Sequence, residues 1–319
     1  MFNEFDEKEM REVYCDSLIK LAEEDERIVL LEADLMKASG TKPFKEKFPY
    51  RTINVGIAEA NMIGVAAGLS TFGKIPFADS FTAFATRRCF DQITISIAYT
   101  GLNVKIVGTD PGVSAELNGG THMSFEDVGI MRTLPGMVIF EPVDSTQLRK
   151  AIPEIVKHDG PVYIRLFRKK AYKIFDDNYK FDLKKSDLIL DGKDVVIFST
   201  GIMVKTSIEA SQLLKTKGIS AKVINVHTIK PLYLEGIISA ARETGAVVTA
   251  ENHNIIGGLG SAIAELLSYE YPVPIKRIGV NDHFGEVGKK EYLMEKYHMM
   301  PEDIVKAAEE VIAKKEGRI

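Results

Sequence analysis

The sequence predicts an α/β protein with two domains, each built on a mostly parallel sheet with helices on both faces. Its 319 residues suit two domains of roughly 100–200 residues each. Apolar strand-like runs alternate with helical stretches along the chain, which is typical of parallel sheets covered on both faces. The composition changes at 168–187, which is rich in Lys and Asp without a helical period. We therefore expect domains at 1–170 and 191–319, joined by a linker at 171–190.

The strands follow from short apolar runs, and the helices from the amphipathic stretches between them. Runs that fit this pattern lie at 28–34, 74–80, 102–110, 137–143, 161–167, 194–201, 221–226, 246–251 and 274–279. A final helix begins near Pro301, where proline and acidic residues suit a helix N-terminus.

Composition and charge exclude several classes of protein. The formal net charge is −4, so we expect no basic surface that attracts DNA or RNA. Two cysteines cannot form a disulfide framework, which favours a reducing compartment. The acidic N-terminus is unlike a signal peptide, and Glu59 interrupts the longest mildly apolar stretch, 52–72, which argues against a membrane span. We expect a cytoplasmic protein with no membrane or nucleic-acid partner.

Polar and aromatic residues follow several predicted strands, at the sheet edge where ligands usually bind. Glu59 begins a helix of Ala, Gly and Met residues, where an acid commonly compensates the helix dipole. The alternative is acid–base chemistry by a carboxyl group in an apolar pocket. Phe81 and Phe84 are three residues apart, which indicates either core packing or a platform for a flat ring.

A long Gly-rich loop at 109–127 is a further candidate. It follows a buried strand and contains Asp110, Asn118 and His122. Long loops in compact domains are more often functional than structural. A lone histidine is usually a surface or packing residue, so a functional role and a structural role remain open for His122.

Arg168 directly follows the predicted strand 161–167. An arginine there can bind a phosphate or carboxylate bidentately, or it can be one more solvated charge of the linker. The glycine turn at 257–262 is attributed mainly to helix–sheet packing. The sequence contains no phosphate-binding loop of the G-x-x-x-x-G-K-[ST] type and no Cys and His cluster with zinc-ligand spacing.

Together these motifs resemble the C-terminal half of transketolase, the thiamine-diphosphate enzyme. The resemblance covers nearly the whole chain and is strongest at 51–84 and 118–144. It implies a pyrimidine-binding domain followed by a smaller transketolase C-terminal-like domain, in agreement with the boundary expected from composition. It also implies transfer of a two-carbon ketol unit from a ketose to an aldose phosphate, with thiamine diphosphate as cofactor.

The resemblance also implies a role for each candidate near the cofactor. Glu59 matches the catalytic glutamate that bonds N1′ of the aminopyrimidine ring, and Phe81 and Phe84 match the aromatic residues around that ring. His122 matches a second catalytic residue, a histidine that bonds the sugar near its reacting carbons. Asp34 matches an aspartate near the cofactor and the substrate channel.

Among the residues expected to bind substrate, some match the family and others differ from it. Arg168 and Arg11 match arginines that bind the substrate phosphate. However, Asp110 replaces a histidine that contacts substrate, and Asn118 replaces an acidic residue that bonds a sugar hydroxyl. A phosphate-contacting serine falls on Ala38 or, with a one-residue slip, on the next position. Because a carboxylate near a phosphate is repulsive, we expect a ketose donor whose terminal group differs from the usual phosphate or is uncharged.

The chain lacks the Gly-Asp-Gly motif with which transketolases hold the metal and diphosphate. We therefore expect one subunit of a split enzyme, in a heterotetramer of two chains each, with Mg²⁺ (or Ca²⁺ or Mn²⁺) held by the partner subunit. No metal ligands are assigned to this chain. Two alternatives share parts of the pattern: a 2-oxo-acid dehydrogenase beta subunit or deoxyxylulose-phosphate-synthase-like enzyme, and a non-catalytic assembly subunit.

Overall fold

The computed structural model of the chain describes residues 2–317, in which two sheets carry the fold. Within that range the strands are β1 Ile28–Glu32, β2 Thr52–Asn54, β3 Ile75–Phe81, β4 Lys105–Thr109, β5 Val138–Phe140, β6 Val162–Leu166, β7 Asp187–Leu190, β8 Val195–Ser199, β9 Ala221–Asn225, β10 Thr228–Lys230, β11 Val247–Asn254 and β12 Ile275–Val280.

Helices lie between most successive strands, as the alternation of apolar runs predicts. They are α1 Met10–Glu24, α2 Met36–Ser39, α3 Lys42–Lys47, α4 Glu59–Thr71, α5 Thr82–Ala85, α6 Phe90–Gln92, α7 Asp127–Arg132, α8 Ser145–Lys157, α9 Met203–Thr216, α10 Leu234–Thr244, α11 Leu259–Glu270, α12 Lys290–Lys296 and α13 Pro301–Lys315. A π-helical segment, Ile93–Ala98, continues α6.

The larger sheet has seven strands in the order β10-β5-β6-β4-β3-β1-β2, and all but β10 are parallel. Alternate residues of a strand point to opposite faces, so each face packs against its own helices. Leu30 and Phe77 share an apolar cluster with Leu18 of α1, and Leu31 shares another with Met62 of α4. The smaller sheet has the order β12-β11-β8-β9-β7, with β7 antiparallel.

The predicted fold class is confirmed: both domains are mostly parallel sheets with helices. Three short strands, β2, β7 and β10, have no counterpart among the predicted runs. β2 and β7 are only partly buried, so they lack the near-continuous apolar pattern of the central strands. β7 lies at 187–190, in the segment predicted as a linker, and β10 pairs with β5 across the domain boundary.

A buried arginine joins the two domains. Arg165 of β6 pairs with Asp127 through Nε at 2.7 Å and with Glu141 through Nη1 at 2.6 Å. Its Nη2 donates to the carbonyl of Asn252 in β11 at 2.7 Å. Because a buried arginine is costly without partners, these contacts fix the approach of β11 to the larger sheet.

The side chain of Asn252 holds the loop that follows β4. Its Oδ1 accepts from the Val113 amide, and its Nδ2 donates to the Pro111 carbonyl, each at 2.9 Å. Gly112 lies between them with φ +56°, and a Cβ there would lie 2.2 Å from Asn252 Oδ1. The loop therefore requires glycine at this position and is anchored by the second domain.

Within residues 2–317, none of the helices is both long enough and apolar enough to cross a lipid bilayer.

Candidate active site

Most of the sequence-predicted site residues meet at the carboxyl end of the larger sheet. Glu59 follows β2, Phe81 ends β3, Asp110 follows β4, and Arg168 follows β6. β1, β3, β4 and β6 are successive neighbours, and the carboxyl ends of parallel strands form the usual ligand-binding edge. The topology therefore brings together residues that lie as far apart as 59 and 168 in the chain.

Glu59 is the first residue of α4 and is only 1% exposed. The Ser80 hydroxyl donates to its Oε1 at 3.0 Å, and Arg88 Nη1 donates to its Oε2 at 2.6 Å. The carboxylate thus has two polar partners instead of a wholly apolar pocket. Sequence reasoning missed both partners, although Ser80 directly precedes Phe81, and Arg88 lies four residues after Phe84.

An aromatic group lies next to the guanidinium that pairs with this carboxylate. The Phe81 and Phe84 ring centroids are 6.1 Å apart in an edge-to-face arrangement. The His122 ring lies 5.8 Å from Phe81 and 5.1 Å from Phe84, and the Arg88 guanidinium lies 4.0 Å from the centroid of Phe84. Both phenylalanines are partly exposed, so the pair forms an accessible surface and not only core packing.

His122 therefore lies at the candidate site and not on a remote surface. Its Nδ1 is 3.0 Å from the Thr121 hydroxyl, and its ring is partly buried. Asn118 ends the 3-10 segment Gly112–Asn118 and is exposed.

The two predicted anion-binding arginines also converge. Arg11 Nη1 and Arg168 Nη1 donate to the same carbonyl, that of Ala38, at 3.0 Å and 3.4 Å. The main chain of Ala38, and not a serine hydroxyl, therefore meets the arginines, and Ser39 is buried. Gly40 allows the close approach of Arg11, because a Cβ there would lie 3.1 Å from the Arg11 side chain and φ is +76°.

Asp110 lies buried beside this arginine pair. Its side chain is 1% exposed, and Arg168 Nε is 2.5 Å from its Oδ2. Its φ of 53° is uncommon for a residue other than glycine. Burial raises the pKa of Asp110 to about 7, because the nearby Arg168 and Lys169 only partly offset the loss of hydration. Asp110 can therefore exist in either charge state near neutral pH.

Phe81 links the arginine pair to the aromatic group, since the Arg168 guanidinium is 5.3 Å from its ring centroid. Asp34 follows β1 and is exposed, with φ 64°. Asn54 Oδ1 accepts from the Asp34 amide at 3.0 Å and from the Gly56 amide at 3.1 Å. Asp34 is thus tied to the turn that leads into Glu59.

Glu59 and Phe84 are placed to hold a flat cofactor ring. A planar guanidinium already contacts both the carboxylate of Glu59 and the ring of Phe84, which shows that a flat hydrogen-bonding group can reach both. For a metal ion the outcome differs: in the described part of the chain, no group of three or more His, Cys, Asp or Glu residues is placed to hold one.

Two family models match the chain, one for each half of the sequence. The transketolase pyrimidine-binding domain matches residues 6–173, and the transketolase C-terminal domain matches residues 184–304.

Relatives and a solved structure are similar over nearly their whole lengths. The 6-deoxy-6-sulfo-D-fructose transketolase subunit SqwH of Clostridium sp. (strain MSTE9) is 57% identical over 97% of this chain and 96% of that protein. An apulose-4-phosphate transketolase subunit of Phocaeicola vulgatus is 36% identical over 95% of this chain and 97% of that protein. A split-gene transketolase, solved as an inactive beta4 tetramer, superposes with a TM-score of 0.90 at 44% identity, covering 97% of this chain and 99% of that one.

Proposed function

The chain belongs to the transketolase family, as a subunit of a split transketolase, and we propose that the assembled enzyme takes its two-carbon unit from a ketose that ends in a sulfonate. The observation that carries this proposal is the ion pair between buried Asp110 and Arg168. In this proposal the two arginines bind the far end of the sugar, and the ion pair means that a carboxylate lies beside them.

The charge of the terminal group decides between donors. A sulfonate carries one negative charge at any physiological pH, whereas a phosphate monoester carries about −1.5 to −2. When Asp110 is ionised it neutralises Arg168, and Glu9 Oε2 lies 2.6 Å from Arg11 Nη2, so the net positive charge around the two arginines is well below +2. A site of that charge suits a monoanion and disfavours a dianion. The name of the 57% identical relative, a 6-deoxy-6-sulfo-D-fructose transketolase subunit, supports the same donor class.

The other residues take roles that follow from their contacts. Thiamine diphosphate, when bound, supplies the electron sink for cleavage of a carbon–carbon bond. Glu59 holds or releases a proton at its carboxyl oxygens toward the pyrimidine nitrogen, with Ser80 fixing the orientation of Oε1. Phe81 and Phe84 orient the ring, and His122, which lies against both, stabilises negative charge on substrate oxygens.

The proposal extends to the assembly and the second substrate. The partner is the diphosphate-binding transketolase subunit, which holds Mg²⁺ and the diphosphate, and two copies of each chain form a cytoplasmic heterotetramer. The acceptor is an aldose phosphate.

Donor kinetics of the assembled enzyme test the proposal. The chain is co-purified with its diphosphate-binding partner, and kcat/KM is measured for 6-deoxy-6-sulfofructose, fructose 6-phosphate and fructose with one aldose phosphate acceptor. We expect the sulfonate donor to exceed the phosphate donor by about tenfold or more, and fructose to be the poorest. Equal or better use of fructose 6-phosphate would overturn the assignment of the donor.

A further inference from the structure

We propose that the guanidinium of Arg88 occupies the place of the cofactor's pyrimidine ring in the unloaded subunit and is displaced when that ring binds. This inference rests on the cofactor site proposed above. Arg88 is then a placeholder: it keeps the site formed and charge-balanced before loading, and its departure sets part of the cofactor's affinity.

The first observation is the hydrogen bond from Arg88 to Glu59. Arg88 Nη1 lies 2.6 Å from Glu59 Oε2, while Ser80 holds Oε1. Both carboxylate oxygens therefore have a donor, and Oε2 is the one whose donor lies on a side chain that is 43% exposed. A pyrimidine nitrogen that bonds Glu59 Oε2 from this exposed side takes the position of the Arg88 donor.

The second observation is the position of the same guanidinium over an aromatic ring. Its central carbon is 4.0 Å from the centroid of Phe84, which is a stacking distance for a planar cation. A flat group that hydrogen-bonds Glu59 and covers Phe84 lies where the aminopyrimidine ring would make its two contacts, although Arg88 donates to the carboxylate whereas the ring nitrogen would accept from the protonated carboxyl group. One residue thus reproduces the flat shape and the position of that ring, with Glu59 as the common hydrogen-bond partner.

The energetic reason for a placeholder is the burial of Glu59. A carboxylate that is 1% exposed is costly to leave without a cation, and Arg88 supplies that cation from the solvent side. Arg88 belongs to the one-turn segment Arg87–Cys89 and can therefore swing outward without unfolding a helix. The fraction of subunits in which it has done so sets the apparent dissociation constant of the cofactor.

Arg87 provides a matched control. It is the adjacent residue, has the same charge and is also exposed, but it donates to Glu126 Oε1 at 2.8 Å and to the Thr121 carbonyl at 3.0 Å. Its substitution therefore changes the net charge equally without vacating the place next to Glu59.

Cofactor binding to Arg88→Met and Arg87→Met, each co-assembled with the diphosphate-binding subunit, tests the proposal. Thiamine diphosphate affinity is measured by titration calorimetry with saturating Mg²⁺, and association by stopped-flow fluorescence. We expect Arg88→Met to lower the dissociation constant about 3- to 10-fold and to speed association, with Arg87→Met close to the parent. Arg88→Lys, which keeps the charge but lacks the planar group, is expected to fall between them.

An unchanged or higher dissociation constant in Arg88→Met, with the heterotetramer intact by size-exclusion chromatography, would overturn the placeholder role. If Arg88→Met does not assemble, Arg88→Lys decides: binding no tighter than in the parent has the same meaning. A parent enzyme that binds no thiamine diphosphate would instead refute the proposed function, so the two failures are distinguishable.

Discussion

Two pairs of buried acids lie near the carboxyl end of the same sheet, and the two pairs have different kinds of partner. Glu59 and Asp110 each pair with an arginine, Arg88 and Arg168, whose side chain is partly exposed. Glu32 and Asp79 lie side by side on β1 and β3, fully buried. We refer to Glu59 and Asp110 as the arginine-paired acids and to Glu32 with Asp79 as the sealed pair.

The difference in partners changes the charge of the two groups. Burial raises the pKa of Glu32 to about 8 and that of Asp79 well above its ordinary range, and the two carboxyl groups reinforce this shift in Asp79. The Thr41 hydroxyl donates to Glu32 Oε1, but a hydroxyl does not neutralise a carboxylate. The sealed pair therefore retains protons at neutral pH, whereas a partly exposed cation accompanies each arginine-paired acid. We therefore expect ligand exchange at the arginine-paired acids and not at the sealed pair.

The largest expected effect is a loss of activity that occurs in one group of acids and not in the other. Glu59→Gln in the assembled enzyme is expected to lower kcat about 100-fold or more, because an amide cannot exchange a proton with the pyrimidine nitrogen. Glu32→Gln, which changes a carboxyl of the sealed pair, is the matched control and should stay within about threefold of the parent. Steady-state kinetics check both, and comparable losses in the two variants would break the comparison.

The next effect concerns the second arginine-paired acid. Asp110→His removes the negative charge beside Arg168, so kcat/KM for fructose 6-phosphate relative to the sulfonate donor should rise about 10- to 100-fold. The ratio is measured with both donors on one preparation, which cancels differences in the active fraction. An unchanged ratio would show that Asp110 does not set the choice of donor.

The pH dependence of donor binding gives a smaller effect. Below its pKa of about 7, Asp110 is neutral and leaves the charge of Arg168 to the substrate. The charge of a sulfonate does not vary with pH, so KM for the sulfonate donor should be about 3- to 10-fold lower at pH 6 than at pH 8. In Asp110→Asn that difference should disappear, and a persistent difference would assign the titration to another group.

The smallest effect is on stability, in the sealed pair. The pKa of Glu32 rises from its ordinary 4.5 to about 8 in the folded chain, so the folded state binds the extra proton in that window. The contribution of Glu32 to stability is therefore fully present below about pH 4.5 and is lost as the pH rises through 8. Glu32→Gln cannot ionise, so its unfolding free energy should fall on the order of 2 kcal/mol less than that of the parent between pH 6 and 9. Thermal unfolding across this range measures it, and parallel curves would contradict it.

The sequence predicts the members of the site better than their contacts. Glu59, Phe81, Asp110 and Arg168 each follow a strand or a turn at one sheet edge, so the topology alone places them together. Their roles remain predictions, because the geometry shows proximity and not chemistry. The resemblance also pointed to a serine near Ala38, whereas the carbonyl of Ala38 is the group that meets the arginines.

Contacts between distant residues lie outside what local patterns encode. The hydrogen bond from Arg88 to Glu59 joins positions 29 residues apart, and Asn252 reaches Val113 across 139 residues. Sequence reasoning missed the strands β2, β7 and β10 for the same reason. A run of three or four residues gains its stability from its partner strand and not from its own composition.

The anchoring of the loop after β4 by Asn252 bears on how such subunits diverge. A Cβ at Gly120 would also lie 2.1 Å from the carbonyl of Gly285, and one at Gly285 would lie 2.6 Å from Met123 Sδ, so the stretch before His122 is pressed against the second domain as well. Asp110 and His122 therefore sit at opposite ends of a segment whose shape depends on a domain that supplies neither. A chimera that exchanges the C-terminal domain is therefore expected to alter the shape of the loop that carries Asp110 and His122.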